Sequence, residues 1–484
     1  MKLFINFSFV LLFIATSFAN TITNNIIKLP KHFKTEKTFS GDLNDNESFH
    51  LIFSKNKQNK MYTIHPFLFN GKEITEINPF ENNKELSTIS FHEKNNILTL
   101  LLSYKEKKKH LLKKVNINLI TKKVTESTPV NHEDFSAVIR NKSSSLLLYK
   151  TDNKISINKY DGNDKEKYFS FELKNDSSYK DFFKNQNIST IKTDEFVANG
   201  STQQVKLYYK DNILYFTKEG YEPLNVNIAG FSLNNKKKSV TQFLKFDLKT
   251  NTEPEFFSFK SSSDIKFNKA TSYFSDRKLF QLAMTKKNGS IKISDINTKK
   301  VLKEISIDNN LDPFIKGNEN FDGIENFLKK ANKVKHNATI TVNKTKNNNL
   351  KIRVDYVNKT YSYNYNWWWH HHHFMIHHQT MMNQVNFSTP RGFGPVQPND
   401  FHFENYLIKK GKRYFEVVLN KNYDLLDTNE DTIYKEVDKQ KYIDQLEKIT
   451  DLKKESSCFL KDSFRYIGYS RNLNAFTIMT NKLK

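Results

Sequence analysis

Between residues 45 and 310 one short unit recurs: alternating apolar and polar residues, an Asn- or Asp-containing turn, then a second short strand. Its clearest copy is residues 290–305 (SIKISDINTKKVLKEI), preceded by Gly289, and residues 115–124 (VNINLITKKV) repeat it one residue shorter. Fainter copies begin at Phe67, Ile155, Val205 and Phe243. The starts are spaced by about 38 to 50 residues, the period of a four-stranded blade. A single such sheet cannot bury both of its faces. Sheets stacked as neighbours around an axis can.

The copy at 289–305 resembles the third and fourth strands of a WD-type blade, although no Trp-Asp dipeptide closes any copy. The expected fold is mainly β: a propeller-like repeat domain of six or seven blades over residues 45–315, following an N-terminal segment at 20–44. A β-sandwich or trefoil with evenly spaced hairpins is the competing arrangement. Residues 319–334 break the strand pattern, with Phe321, Ile324, Phe327, Leu328 and Ala331 at helical spacing, and mark a helical connector over 316–335. Residues 336–484 then read as a smaller α+β C-terminal domain. It would comprise a strand meander, a Pro/Gly-rich loop near 388–400, a strand at 414–419 and a helix over 431–454 with Tyr442, Leu446 and Ile449 facing inward.

The first nineteen residues have the form of a secretory signal peptide: Lys2, an apolar run from Leu3 to Ala15, and small residues Ser17 and Ala19 before the expected cleavage after Ala19. The run is shorter than the roughly 20 apolar residues of a membrane span. No later run is long enough, so the chain is expected in the secretory pathway, without a transmembrane segment. About ten Asn-x-Ser/Thr sequons follow, among them Asn46, Asn141, Asn288, Asn337 and Asn358. In a chain with the Asn- and Lys-rich bias of an AT-rich genome they are permitted acceptors and nothing more.

Cys458 is the only cysteine, so no intramolecular disulfide forms and stability must come from burial. Hydrophobic residues make up only 37% of the chain, but 41 Phe and 22 Tyr supply large apolar area per side chain. The net charge of +24 is carried mostly by lysine. It implies polyanionic partners: sulfated glycans or an anionic cell or membrane surface, with nucleic acid disfavoured by the signal peptide. The candidate contacts are Lys107, Lys108 and Lys109; Lys236, Lys237 and Lys238; and Lys409, Lys410, Lys412 and Arg413. Lys329, Lys330, Lys333 and Lys335 form a further basic run.

One stretch stands apart. On a strand, Tyr361, Tyr363, Tyr365, Trp367 and Trp369 share a face, a row that suits either a buried core or stacking on sugar rings. His370, His371, His372, His373, His377 and His378 follow at once, and His373 with His377 has the spacing that places two imidazoles on one helical face. They are candidate ligands for a transition metal such as Zn or Cu, with Met375, Met381 and Met382 nearby. No other cofactor is expected.

Catalytic patterns fail on inspection. His92-Glu93 and His132-Glu133 lack the second His of a zinc-protease helix. Thr432 stands where the loop at 427–438 would need the Gly of a calcium site, and there is no nucleophile elbow or phosphate loop. The expectation is a secreted, basic, β-rich binding protein without catalysis, adhering to anionic glycans or cell surfaces. The alternatives are a metal-binding secreted protein or enzyme centred on the histidine tract, and a structural component of an extracellular coat. A protein partner is compatible with each.

Overall fold

The computed structural model describes residues 25–483 except 359–412 and the shorter segments 108, 133–134, 152–153, 163–165, 174–181, 184–187, 198–203, 224–226, 229–230, 233–236, 251, 261–268, 317 and 438. The strands form seven open sheets of four or five strands, met in chain order, with one additional two-stranded hairpin. The fifth sheet is the plainest: Lys269–Ser275, Lys278–Met284, Gly289–Asp295 and Val301–Ile307, each antiparallel to the next.

Local chemistry explains why the sequence unit repeats. Between the third and fourth strands, the Asp295 carboxylate accepts from the backbone N–H of Asn297 and of Thr298, each at 2.9 Å. Asn118 does the same for Ile120 and Thr121 in the second sheet, and Asn70 for Lys72 and Glu73 in the first. These are Asx turns. Lys122 and Lys299, both at positive φ, occupy the same place after the Asx residue. The units beginning at 67, 115, 155 and 291 are thus third strands of their sheets. The unit at 243 is third when counted from Val205–Lys210.

The unit at 205 has a different place. Val205–Lys210 is joined to Ile213–Pro223 by Asp211 and Asn212, both at positive φ. The same two-residue turn joins the first two strands in the second sheet (Asn95, Asn96) and the fifth (Asp276, Arg277). Val205–Lys210 is therefore a first strand. Ile188–Ile191 is an extra strand on its inner side, paired parallel to it.

Neighbouring sheets pack face to face. Phe49, Leu51 and Ile64 of the first meet Leu98, Leu100 and Val115 of the second. Leu101 meets Leu147 between the second and third, and Leu146 and Ile157 meet Leu207 and Phe246 between the third and fourth. One large cluster joins the fourth, fifth and sixth sheets. The ring closes through the N-terminus. Asn25–Ile27 pairs with Ala475–Lys482 as the outermost strand of the seventh sheet, and the chain then enters Phe33–Asp42, the innermost strand of the first. Ile27, Ile52, Phe69, Ile467 and Phe476 form the core of that closure. The architecture is a β-propeller of seven sheets, none of which closes on itself.

Residues 336–484, expected as an α+β unit, supply the sixth and seventh sheets together with a helix. His336–Lys344, Leu350–Asn358, Tyr414–Leu419 and Leu425–Leu426 make the sixth; Leu452–Phe459, Ser463–Ser470 and Ala475–Lys482, with the N-terminal strand, make the seventh. The connector helix α1 (Ile324–Ala331) buries Ile324, Phe327, Leu328 and Ala331, as its spacing requires. Helix α2 (Lys439–Glu447) is shorter than the expected 431–454 because the chain turns at Ile449 and leaves as a strand at Leu452. Phe33–Asp42, assigned from the sequence to an N-terminal segment, belongs to the first sheet. Its charged residues Lys34, Glu36 and Lys37 obscure the strand pattern. Among the described residues no helix is long and apolar enough to cross a membrane.

The sixth sheet carries a buried ionic cluster. Arg353 is 2% exposed and bonds Asp355 at 2.9 Å, with Glu416 at 3.4 Å and Glu436 at 3.6 Å. Lys351 also reaches Glu416, and the guanidinium lies 3.7 Å over the Tyr414 ring. Helix α2 packs its Ile443 and Leu446 on Phe464 and Tyr466 of the seventh sheet.

Candidate functional site

A cavity of about 720 Å³ opens beside the ends of the innermost strands of the first, third and seventh sheets. Phe39, Phe91, Phe196 and Phe459 form its apolar part. Its cations, Arg140, Lys142, Lys192, Lys435, Lys439 and Lys461, are nearly balanced by Asp42, Asp45, Asp194, Glu195 and Asp462. Arg140 grips both carboxylate oxygens of Asp42, at 2.9 and 3.0 Å, while its guanidinium lies 3.7 Å over Phe91. Burial pushes the Asp42 carboxyl up, but the charge and hydrogen bonds of Arg140 outweigh it and hold the group below its usual range. Lys439 bonds Glu195 at 2.8 Å. With its charges matched internally, the cavity presents no concentrated field to a polyanion.

Its cysteine is not poised as a nucleophile. Cys458 is buried in its wall, and burial raises the thiol above its ordinary value, so the thiolate is not formed. The buried histidines are neutral and bond serines, His50 within the first sheet and His92 across to the third. His50 bonds Ser40 at 2.8 Å and Ser48 at 3.1 Å, and His92 bonds Ser145 at 3.1 Å. Burial pushes them down to about 3 and about 4. Among the described residues no group of three His, Cys, Asp or Glu side chains is placed to hold a metal.

The basic residues converge elsewhere, at the opposite end of the strands of the fifth and sixth sheets. Asn332, capping α1, donates to Leu328 O at 3.0 Å and to Thr285 O at 2.6 Å. That bond ties the end of the helix to the turn bearing Lys286 and Lys287, both exposed. Lys333 and Lys335 follow the helix, also exposed, with Val334 87% exposed between them. Arg413 enters from the start of the third strand of the sixth sheet. His336 reports the convergence. Its imidazole is depressed first by burial, then by the charges of Lys335, Arg413 and Lys333, while a bond to Lys330 O works against them. The ring stacks on Tyr356 at 4.7 Å. The nearby carboxylates are already engaged: Glu325 by Lys329 at 2.6 Å and Asp322 by Lys330 at 3.1 Å.

Of the candidate polyanion contacts, Lys107 and Lys109 sit exposed at the hairpin tip joining Ile97–Glu106 to Lys109–Asn118. Lys237 and Lys238 begin the strand Lys237–Asp247, opposite Pro223 and Glu222. Lys108, Lys236, Lys409, Lys410 and Lys412 lie outside the described residues. So do the aromatic row Tyr361–Trp369, the histidines His370–His378 and the signal sequence. The chain from 359 to 412 joins Leu350–Asn358 to Tyr414–Leu419, adjacent strands whose linked ends lie beside His336.

Part of the positive charge, read from the sequence as external, is internal. Lys206 donates to Thr271 Oγ1 at 2.7 Å and Ser272 O at 2.5 Å, joining the fourth sheet to the fifth. Lys37 bonds Glu85 at 2.8 Å between the first and second. Arg465 of the seventh sheet donates to Phe69 O at 2.8 Å and Asn46 O at 2.7 Å in the first. A hint lay in the surrounding alternation, as in VKLYYK, where Lys206 occupies a strand with apolar neighbours.

No protein-family model matches this chain, and no curated protein sequence does. Among solved structures it is similar to the β-propeller domain of the Trilobed protease from Pyrococcus furiosus, at 8% identity and a TM-score of 0.30, covering 93% of this chain and 97% of that one. An acylaminoacyl peptidase is similar at 8% identity and a TM-score of 0.28, over 79% of this chain and 43% of that one. The WD40 domain of SCAP from fission yeast is similar at 8% identity and a TM-score of 0.20, over 58% and 89%. What defines the class is the molecule's own geometry, seven sheets in a ring closed by an N-terminal strand: a β-propeller protein.

Proposed function

We propose that this chain is a secreted, basic propeller that adheres to anionic glycans, and that the corner formed by Lys286, Lys287, Lys333, Lys335 and Arg413 is a principal contact. The convergence of Lys333, Lys335 and Arg413 on His336, beside the turn of Lys286 and Lys287 that Asn332 ties to the end of the helix, with the neighbouring carboxylates already bonded to other lysines, is the observation that carries the reading. Exposed ammonium groups this close raise the local potential and concentrate sulfate-bearing chains, an effect that fades beyond about 8 Å at physiological salt. The signal sequence supports meeting such glycans outside the cell. The rigid sheets supply the platform; no bond is made or broken.

The test is retention of the mature chain on immobilised heparin in a rising salt gradient. Elution above physiological salt, and earlier elution of K286A/K287A/K333A/K335A, is expected. Elution of wild type at or below physiological salt, or co-elution of the two proteins, overturns the reading.

A further inference from the structure

The fifth and sixth sheets carry a second arrangement of lysines, at the other end of the strands that bear the basic corner. The strand His336–Lys344 starts at the corner and ends here; the eight steps between its nine residues, at about 3.3 Å each, put the two places roughly 26 Å apart. A cavity of about 170 Å³ lies between the turn after Ser275, the end of that strand and the turn that begins at Asn420. Lys278, Lys344 and Lys421 line it, with Asp276 as its only lining carboxylate.

Asp276 is fully engaged. Its Oδ1 accepts from Lys210 Nζ at 2.6 Å and its Oδ2 from Lys344 Nζ at 2.5 Å. Burial pushes this carboxyl up, but the bonds and charges of Lys210 and Lys344 hold it below its usual range. The next carboxylates have lysines of their own: Asp424 is bonded by Lys303 at 2.8 Å and Asp431 by Lys346 at 2.9 Å. Among the described residues neither Lys278 nor Lys421 forms an ion pair with a carboxylate. Asp276 thus fixes Lys210 and Lys344, while Lys278, which donates to Asp276 O at 3.4 Å and whose charge also reaches Asp295, and the exposed Lys421 complete the lining lysines. The opposite wall is Leu350 and the half-buried ring of Tyr423.

We propose that this cavity binds a tetrahedral oxyanion, a sulfate or phosphate monoester, with the ester-bearing sugar against Tyr423 and Leu350. The volume suits one such group and part of a ring. Charge-assisted bonds from lysine suit its oxygens. The site is distinct from the corner and does not depend on the glycan-adhesion reading.

Calorimetric titration of the mature chain at low salt with inorganic phosphate, glucose 6-phosphate and glucosamine 6-sulfate tests it. One saturable site is expected, with the sugar esters bound more tightly than inorganic phosphate; the two esters separate a phosphate from a sulfate preference. K278A/K421A, two changes near the surface, should weaken binding about tenfold. D276N removes the internal competitor and should tighten binding severalfold, a gain that misfolding cannot mimic. K286A/K287A/K333A/K335A should bind as wild type. Unchanged affinity in both K278A/K421A and D276N, or loss in the corner variant, overturns the proposal.

Discussion

Ile27 pairs with Phe476 across the outer edge of the seventh sheet, so residues near the two ends of the described chain meet in one strand ladder. Ile27 is 7% exposed and packs with Ile52, Phe69 and Ile467 in the cluster that joins the seventh sheet to the first. Ile27→Ala should therefore act on the closure of the whole ring. The expected loss is about 2–4 kcal/mol of stability, from lost burial and the space left behind. Chemical denaturation checks it, and a midpoint equal to wild type would mean that the N-terminal strand does not hold the ring.

Internal and external lysines should differ sharply in what their removal costs. Lys206→Ala leaves Thr271 Oγ1 and Ser272 O without their donor inside the protein, and should cost about 3 kcal/mol. Lys107→Ala and Lys109→Ala, at an exposed hairpin tip, should stay within about 0.5 kcal/mol of wild type. Thermal unfolding of the three variants side by side gives the comparison.

Acid should destabilise the fold through buried imidazoles. Burial pushes His50 down to about 3, and His65 and His92 down to about 4. In the unfolded chain each titrates near 6.5. The unfolded state thus takes up protons that the folded state refuses, and stability present above about pH 6.5 is lost as pH falls toward 3–4. The Tm should drop through that window, and His92→Gln should drop less steeply. Parallel curves would show that His92 does not contribute.

Asp355 works in the other direction. Burial, opposed by Arg353 but helped by Glu416 and Glu436, pushes its carboxyl up to about 7. Its unfolded value is about 3.9. Here the folded state holds the proton more tightly, so this group's contribution is complete below about pH 4 and is lost as pH rises through 7. Three histidines outweigh one carboxyl in the acid range, so the effect is read as a difference. The Tm of Asp355→Asn minus that of wild type should grow from pH 4 to pH 7 and then level off. A constant difference would contradict the assignment.

The sequence disclosed what local chemistry encodes. Asp295 and Asn118 each set their own turn, with a lysine at positive φ beyond, so the repeat of strand, Asx turn and strand is visible without knowing what it packs against. Helix α1 was legible for the same reason, since its buried stripe lies within eight residues. The seventh sheet was not. Its first strand, LKKESSCF, carries three charges and contains a register shift, and its fourth strand comes from the other end of the chain. The helical spacing of Tyr442, Leu446 and Ile449 also masked the turn into Leu452. The basic corner was half visible. The run from Lys329 to Lys335 stands out in sequence, but Lys286, Lys287 and Arg413 join it only through Asn332 and the pairing of distant strands.

The most direct test of adhesion is the affinity of the mature chain for a size-defined heparin hexasaccharide across a salt series, beside K333A/K335A and the control K107A/K109A. The account predicts that log affinity falls linearly with log salt in wild type, and that K333A/K335A binds more weakly with a shallower slope. The hairpin-tip control should change less. Equal slopes and affinities for wild type and K333A/K335A, or binding indifferent to salt, would contradict it.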